Sequence, residues 1–233
     1  MSLTKPVFLF SDSSLLFWQE NDVLFASHIL KHIDSHQPKA AYIGASNGDI
    51  DEYFQIFESA MSGIGVTDCM KIHAEPSEEE LAYLMSADVI LLAGGDVFKG
   101  LDCLQSSGMD SIIKQRYAEG AVLIGISAGA IQLGQTYIYK TDQEEYPVDM
   151  LNLVPLSFDA HDEDCEWTNL KDLMLHLENR KKGIGIPKGA GFIYVNADKA
   201  HAVRYPNITF VNHGMNLVMS TIQPDILDNP ILH

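Results

Sequence analysis

The sequence predicts an open α/β fold in which helices cover a mostly parallel sheet. Short apolar runs alternate with amphipathic stretches along the 233 residues, and this alternation is typical of parallel strands joined by crossover helices. No Pro/Ser-rich linker, low-complexity tract or repeat divides the chain, so we expect a single α/β domain over residues 1–233. Hydrophobic residues make up 46% of the chain, which is enough for a full core without disulfides or metal ions.

The first part of the chain contains the strands of the predicted sheet. They are expected at residues 7–10, 40–44, 66–72, 88–93 and 121–125. Helices between them are expected where apolar residues recur at helical spacing, over residues 14–33, 52–62 and 110–119. A capping-box pattern at Ser77 and Glu80 predicts the start of another short helix.

Beyond residue 127 the pattern becomes less regular. We expect a helix over residues 166–178 and strands, some of them antiparallel, at 136–139, 183–186, 192–195 and 201–204. Sites in open α/β sheets lie outside the carboxyl ends of the strands. Two glycine-containing segments, 94–96 and 125–129, follow predicted strands directly, so the functional site is expected there.

Charge and cysteine content restrict the partners and the compartment. The formal net charge is −17, from 15 Lys and Arg against 32 Asp and Glu, which argues against nucleic acid or an anionic membrane as a partner. The three cysteines show no close pairing and are typical of free thiols in a reducing compartment. The sequence shows neither a signal-peptide pattern nor an apolar run of membrane-spanning length. We therefore expect a cytoplasmic protein.

The segment from Gly125 to Gly129 has the pattern Gly-x-Ser-x-Gly between an apolar run and a helical pattern. This is the pattern of a nucleophile elbow, in which a tight turn exposes the hydroxyl of the central residue, Ser127. The two glycines avoid collisions in that turn. Ala128 keeps the next position small, so that its backbone N–H can face a developing oxyanion, and the following helix favours negative charge there.

A serine nucleophile needs a base, and among the nine histidines the position of His161 is the most suggestive. It follows an apolar segment and precedes an acidic loop, while His201 and His213 remain further candidates. The acidic loop at 162–166 mixes ligand types and lacks a partner cluster of matching spacing. We therefore expect no metal ion and no cofactor.

Three blocks of residues resemble the serine peptidases that include dipeptidase E and cyanophycinase, which have a class I glutamine amidotransferase-like fold. These blocks are residues 91–96 with a Gly-Gly-Asp loop, residues 125–130 with the elbow, and residues 158–161, which end in His161. In element order the resemblance extends from about residue 7 to about residue 203, but only the elbow is highly specific. Enzymes of the parent fold that transfer amide nitrogen use Cys at the elbow, so Ser127 favours the peptidase branch.

The resemblance implies a three-layer α/β/α fold and specific roles. Ser127 would attack the peptide carbonyl and His161 would take its proton, while the N–H groups of Gly95 and Ala128 would form the oxyanion hole. Asp142 lies fifteen residues after Ser127, where peptidase E-like chains carry a functionally important Asp. The family typically hydrolyses short peptides next to an aspartyl residue, so we expect a small peptide as the partner and allow for a homodimer.

The chain departs from the family where an acidic residue usually orients the histidine. Lys188 follows the strand at 183–186 in that place, and a lysine cannot accept a hydrogen bond from imidazole. Three interpretations remain open: a shifted alignment, orientation of His161 by Asp142, Asp159 or Asp162, or a Ser-His dyad with weaker catalysis. Alternatively, Lys188 binds a carboxylate of the substrate.

The leading hypothesis is a serine-type hydrolase that cleaves short peptides, including aspartyl dipeptides. The alternative is a non-catalytic small-molecule or peptide-binding homologue with an impaired triad, and an esterase ranks lower because no His-Gly-Gly loop is evident. An aspartyl carboxylate would need a cation. The candidates by charge alone are Lys99, Arg116, Arg180, Lys188 and Arg204.

Overall fold

The computed structural model describes residues 4–178, 181–214 and 216–224. In these ranges the strands are β1 (Val7–Phe10), β2 (Gln19–Glu20), β3 (Val23–Leu24), β4 (Lys39–Ile43), β5 (Asp68–Ile72), β6 (Val89–Leu92), β7 (Val122–Ile126), β8 (Thr136–Lys140), β9 (Glu145–Asp149), β10 (Ser157–Ala160), β11 (Lys182–Ile186), β12 (Gly191–Asn196), β13 (Lys199–Val203), β14 (Asn207–His213) and β15 (Asn216–Ile222). The helices are α1 (Ser27–Leu30), α2 (Asp51–Gly63), α3 (Glu78–Leu84), α4 (Val97–Ser106), α5 (Met109–Ala118), α6 (Ala128–Leu133) and α7 (Thr168–His176). Short 3₁₀ helices lie at Ser13–Leu16, Ala45–Asn47 and Glu163–Cys165.

The central sheet has seven strands in the order β13-β12-β1-β7-β6-β4-β5. Neighbouring strands pair in parallel along β1, β7, β6, β4 and β5. Strands β12 and β13 extend the sheet on the other side of β1 and pair in antiparallel fashion. The predicted α/β fold with a mostly parallel sheet is confirmed. Because the parallel strands point the same way, β1, β4, β6 and β7 deliver their following loops to one edge of the sheet.

Both faces of the central sheet are buried. Along β1, Val7 and Leu9 belong to one core cluster and Phe8 and Phe10 to the other, as the alternation of side chains along a strand requires. Helices α3 to α6 contribute buried residues to the first cluster, whereas α1, α2 and the 3₁₀ helix at Ser13–Leu16 contribute to the second. The result is a helix–sheet–helix sandwich.

A second sheet, with the order β10-β11-β14-β15, carries the segment that leads to His161. Helix α7 packs against it through Trp167, Leu170 and Met174. The close fit depends on two glycines of β11, because a Cβ at Gly183 would lie 2.9 Å from Leu170 and one at Gly185 would lie 2.7 Å from Trp167. This packing fixes the position at which β10 ends beside the central sheet.

The prediction of a long helix over residues 14–33 is wrong. The segment instead forms the 3₁₀ helix at Ser13–Leu16, the β2–β3 hairpin and the short helix α1. Asn21 and Asp22 both adopt positive φ, 51° and 62°, and residues with positive φ at both central positions make the two-residue turn that suits a hairpin. The apolar residues whose spacing suggested a single helix lie on several short elements.

Candidate active site

Ser127 lies in the sharp turn between β7 and α6. Its backbone has φ 51° and ψ −111°, a conformation that non-glycine residues rarely adopt and that clusters at functional sites. A Cβ at Gly125 would lie 2.7 Å from the backbone of Ala130, and one at Gly129 would lie 2.1 Å from the carbonyl oxygen of Leu92. The turn therefore has the shape of a nucleophile elbow, and both glycines are needed for it.

His161 meets the elbow from the second sheet. Its Nε2 lies 2.8 Å from Oγ of Ser127, which is hydrogen-bonding distance. His161 directly follows β10, has a φ of 47°, and donates its backbone N–H to the carbonyl oxygen of Ile186 at the end of β11 (2.9 Å). His201 lies on β13 and His213 on β14, and neither lines the cavity around Ser127. The structure thus brings one of the three candidate histidines to the serine.

The Gly-Gly-Asp loop after β6 lies against the elbow. A Cβ at Gly94 would be 3.2 Å from Cβ of Ser127, and one at Gly95, whose φ is 137°, would be 2.2 Å from the carbonyl oxygen of Ser46. Ala128 is buried and begins α6, where backbone N–H groups have no partner within the helix. Ala128 directly follows Ser127, and Gly95 lines the same cavity as Ser127, so the two N–H groups predicted for an oxyanion hole come from two elements beside the serine.

A buried glutamine fixes the loops around this site. Gln132 on α6 is 1% exposed, and its Nε2 donates to Oγ of Ser46 (3.0 Å) and to the carbonyl oxygen of Val97 (2.8 Å). The carbonyl oxygen of Ser46 in turn accepts the N–H of Asp96 (2.8 Å). The helix of the elbow and the Gly-Gly-Asp loop are thereby joined through polar contacts in the interior.

A cavity of about 290 Å³ opens beside Ser127. It lies over the carboxyl ends of the central strands, between α2 and the 3₁₀ helix at Ser13–Leu16, where ligands of open α/β sheets bind. Its lining in the described part of the chain consists of Ser11, Asp12, Ser13, Leu16, Tyr42, Asn47, Tyr53, Ile56, Phe57, Leu91, Ala93, Gly94, Gly95, Ile126, Ser127 and His161. Serine, histidine and one glycine of the proposed oxyanion hole thus share one pocket.

Comparison with known proteins agrees with this arrangement. Residues 7–203 match the sequence model of peptidase family S51. The chain belongs to this family. The match contains both the elbow and His161, and it ends at the last residue of β13.

Two curated proteins named as peptidases are similar in sequence to this chain. The chain is 32% identical over 108 residues to the uncharacterized peptidase YgaJ of Bacillus subtilis, covering 45% of this chain and 46% of that protein. It is 28% identical over 123 residues to peptidase E of Haemophilus influenzae, covering 52% and 55%. The chain thus spans about half the length of the curated relatives it matches.

Two solved structures share the fold. The crystal structure of a peptidase from an acI-B1 Actinobacterium has a TM-score of 0.70 at 14% identity, covering 94% of this chain and 97% of that one. A protein of Listeria monocytogenes EGD-e assigned as a peptidase E has a TM-score of 0.60 at 19% identity, covering 86% and 98%. At these identities the likeness concerns the fold alone.

None of the three acids considered as partners of His161 in this S51 chain hydrogen-bonds to its ring in the described residues. Asp142 lies in the exposed turn between β8 and β9, because α6 and β8 carry the chain away from the serine. Asp159 is buried and accepts hydrogen bonds from the hydroxyl of Tyr137 (3.2 Å) and from the N–H of Ala160 (2.9 Å). The side chain of Asp162 interacts with Cys165. Among the described residues, His161 has no side-chain hydrogen bond other than the one with Ser127.

Lys188 does not line the described cavity. It is exposed, and its backbone N–H donates to Oε1 of Glu163 (3.0 Å). The next N–H, that of Gly189, donates to Oδ2 of Asp12 (2.7 Å). Two carboxylates therefore hold the loop after β11, one from each side, and this loop lies beside the segment that carries His161.

Within the described residues, the structure offers neither a metal site nor a membrane-spanning helix. Among the described residues, no group of three or more His, Cys, Asp or Glu side chains is arranged to hold a metal ion. Within the same residues, every helix is too short or too polar to cross a membrane. The three cysteines are free thiols.

Sequence reasoning missed part of the cavity, namely Asp12, Tyr42, Asn47 and the supporting residue Gln132. A signal for Asp12 was present, since it follows the first predicted strand and is a good N-cap residue. It caps the 3₁₀ helix at Ser13–Leu16 by accepting the N–H of Ser14 (2.8 Å). For Gln132 the pattern gives no signal, because a polar residue in a short helix is normally solvated.

Proposed function

We propose that this chain is a serine peptidase that hydrolyses short peptides, with Ser127 as the nucleophile and His161 as the general base. The observation that carries this proposal is the 2.8 Å approach of Oγ of Ser127 to Nε2 of His161 at a backbone position with φ 51°. A serine and a base within hydrogen-bond reach are the signature of an activated nucleophile. Membership of peptidase family S51 agrees with this chemistry.

In the proposed reaction, Oγ of Ser127 attacks the carbonyl carbon of the peptide while its proton passes to Nε2 of His161. The N–H groups of Gly95 and Ala128 stabilise the oxyanion, and each such donor typically lowers the barrier by about 3–4 kcal/mol. When the C–N bond breaks, the leaving amine takes the proton from His161. Water then attacks the carbonyl carbon of the resulting ester and gives a proton to His161. As the bond between the acyl carbon and Oγ breaks, His161 returns this proton to Oγ of Ser127 and the acid is released.

A direct test is hydrolysis of a dipeptide panel that contains uncharged and aspartyl dipeptides, the latter implied by the resemblance to dipeptidase E. We expect turnover that is lost by at least about a thousandfold in Ser127→Ala. A serine-reactive phosphonate is expected to form an adduct at Ser127 and to fail with the variant. Absence of both turnover and adduct, or equal turnover by Ser127→Ala, contradicts the proposal.

A second candidate is a non-catalytic peptide-binding homologue. It is favoured by one observation, that in the described part of the chain the ring of His161 hydrogen-bonds to Ser127 alone. Without an acceptor on its other nitrogen, an imidazole is less well oriented as a base. Peptide binding without phosphonate labelling, under conditions that label an active S51 peptidase, would favour this candidate.

A further inference from the structure

We infer that the cavity beside Ser127 accepts an uncharged, mainly apolar side chain on the acyl side of the scissile bond and disfavours an aspartyl side chain. This inference rests on the proposed function, since it assigns the cavity to the substrate of that reaction. It reverses the aspartyl preference that the family resemblance implies.

The walls of the cavity are mostly apolar. The apolar side chains that line it come from the 3₁₀ helix after β1, from α2, from β6 and the residue after it, and from β7. They are Leu16, Ile56, Phe57, Leu91, Ala93 and Ile126. Burial of an apolar side chain against such walls is favourable in proportion to the area removed from water. Burial of a carboxylate there is costly unless a cation or several N–H donors compensate.

No compensating cation lines the cavity in the described part of the chain. Lys99 lies outside it, with Nζ 3.3 Å from the place that a Cβ of Gly48 would occupy. The guanidinium of Arg204 lies over the rings of Trp18 and Tyr205, at 5.9 and 4.9 Å from their centroids, and is likewise absent from the described lining.

Two further cations proposed from the sequence, Arg116 and Lys188, do not line the cavity either. The guanidinium of Arg116 on α5 donates to the carbonyl oxygen of Ala87, on the other side of the sheet. Lys188 is exposed beside Glu163, and Arg180 lies outside the described residues.

The charge that does line the cavity is negative. Asp12 accepts the N–H groups of Ser14 (2.8 Å) and Gly189 (2.7 Å). Although partial burial opposes ionisation, these hydrogen bonds hold the pKa of Asp12 below its ordinary value. An aspartyl side chain in the same cavity would face an ionised carboxylate, and like charges at close range repel strongly in a partly desolvated site.

Tyr42 and Asn47 add polar groups to the cavity. The hydroxyl of Tyr42 accepts a hydrogen bond from Nδ2 of Asn47 (3.0 Å), and burial raises the pKa of Tyr42 to about 12. Oδ1 of Asn47 accepts the N–H of Ile50 (3.2 Å). These two groups partly satisfy one another, and neither carries a positive charge that would offset the carboxylate of an aspartyl side chain.

The position of the reacting groups assigns the cavity to the acyl side. Gly94 and Gly95 line it, so a carbonyl oxygen held there places its own residue over the cavity. His161 also lines the cavity but is exposed, so we expect the amine that it must protonate to leave toward solvent. The side chain of the attacked residue is therefore the one that enters.

Three dipeptides that differ only in their first residue separate charge from polarity: Leu-Ala, Asn-Ala and Asp-Ala. We expect kcat/KM of the unmodified protein to be highest for Leu-Ala, and at least about tenfold higher for Asn-Ala than for Asp-Ala, since Asn and Asp have the same shape. A kcat/KM for Asp-Ala that equals or exceeds those of the other two overturns the inference.

A variant with a cation at the cavity wall provides a second test. Ile56→Arg introduces a guanidinium at a lining position of α2, and the preceding exposed residue, which does not line the cavity, provides the matched control Gln55→Arg. We expect the ratio of kcat/KM for Asp-Ala to that for Leu-Ala to rise at least about tenfold in Ile56→Arg alone. Equal ratios in the two variants overturn the inference.

Binding distinguishes a failure of this inference from a failure of the proposed function. If none of the dipeptides is hydrolysed, calorimetric titration of the unmodified protein with the same three dipeptides decides the preference. Tighter binding of Leu-Ala than of Asp-Ala supports the inference even though the peptidase proposal fails. Equal or tighter binding of Asp-Ala, or no binding of any of the three, overturns it.

Discussion

Asp159, on the strand β10 that leads to His161, accepts a hydrogen bond from the hydroxyl of Tyr137 in the interior (3.2 Å). The carboxylate is 3% exposed, and among the described residues its Oδ2 has no hydrogen-bond partner. Burial, and next the nearby charge of Asp162, raise the pKa of Asp159 to about 7. Below about pH 7 a mainly protonated carboxyl group thus lies on the strand that leads to the proposed base.

Asp159 is expected to make stability fall as the pH rises. The unfolded chain loses this proton near the ordinary pKa of aspartate, about 3.9, whereas the folded chain holds it until about pH 7. Between these values the folded state binds more protons, so the free energy of unfolding decreases with increasing pH. Asp159→Asn, which keeps the shape and an acceptor for Tyr137, should remove this slope in urea unfolding curves recorded from about pH 4 to about pH 8.

The matched control is Asp149→Asn, which changes an exposed carboxylate on β9. We expect its unfolding free energy to follow that of the unmodified protein at every pH. If Asp159→Asn is not the more stable protein at about pH 8, or if both variants behave alike, Asp159 is not the group that couples folding to pH.

Gly129 is expected to be intolerant of a single methyl group. Its Cβ would lie 2.1 Å from the carbonyl oxygen of Leu92, a backbone atom of β6 that cannot move without disturbing the sheet. Gly129→Ala should therefore lower the free energy of unfolding by about 3 kcal/mol or more. At Gly63, the last residue of α2, a Cβ would meet only Leu24 at 3.7 Å. Gly63→Ala should therefore raise the free energy of unfolding, by at most about 1 kcal/mol. Thermal and urea unfolding compare the two, and similar stabilities would contradict the elbow packing.

Gln132 is expected to act on the reaction through the loop it holds. Gln132→Met leaves Oγ of Ser46 and the carbonyl oxygen of Val97 without their donor, which should cost about 1–3 kcal/mol of stability. Because Ser46 also holds Asp96, kcat should fall by about tenfold or more while KM changes little. Gln115→Met on the exposed face of α5 is the control for the substitution itself. A fall in stability without a fall in kcat would restrict Gln132 to a structural role.

The fold was predictable because each central strand carries its own local signal. The apolar runs of β4, β6 and β7 end in glycine-containing turns, and the turns after β6 and β7 contain the predicted site segments 94–96 and 125–129. The capping box at Ser77 and Glu80 is confirmed. The error at residues 14–33 arose because the hairpin turn at Asn21 and Asp22 was outweighed by apolar residues at helical spacing.

The chemistry of the cavity could not be predicted from local pattern. Asp12, Asn47 and Tyr53 lie on three separate elements, and only the folded sheet brings them together. Conversely, Asp142 matched a spacing, but the β8–β9 hairpin carries it to an exposed turn. The charged groups near the serine are therefore determined by the tertiary fold, whereas the elbow can be recognised from the local sequence.

Lys188 offers a test of how well the proposed base is oriented. Its side chain is exposed, and the group that is fixed at this position is its backbone N–H, which donates to Glu163. We therefore expect Lys188→Gln to leave kcat and KM within about twofold of the unmodified protein. The carbonyl oxygen of Ile186, two residues earlier, accepts the backbone N–H of His161 (2.9 Å), and we expect a carboxylate at position 188 to reach the second ring N–H of His161 from there.

Lys188→Glu should accordingly raise kcat severalfold with little change in KM, because an oriented imidazole is the stronger base. Steady-state kinetics on one uncharged dipeptide measure both constants for the two variants, and Lys188→Gln controls for the loss of the lysine charge. An increase in KM for both variants, without an increase in kcat for Lys188→Glu, would instead assign Lys188 to binding a carboxylate of the substrate, since uniform binding energy affects KM and leaves kcat unchanged.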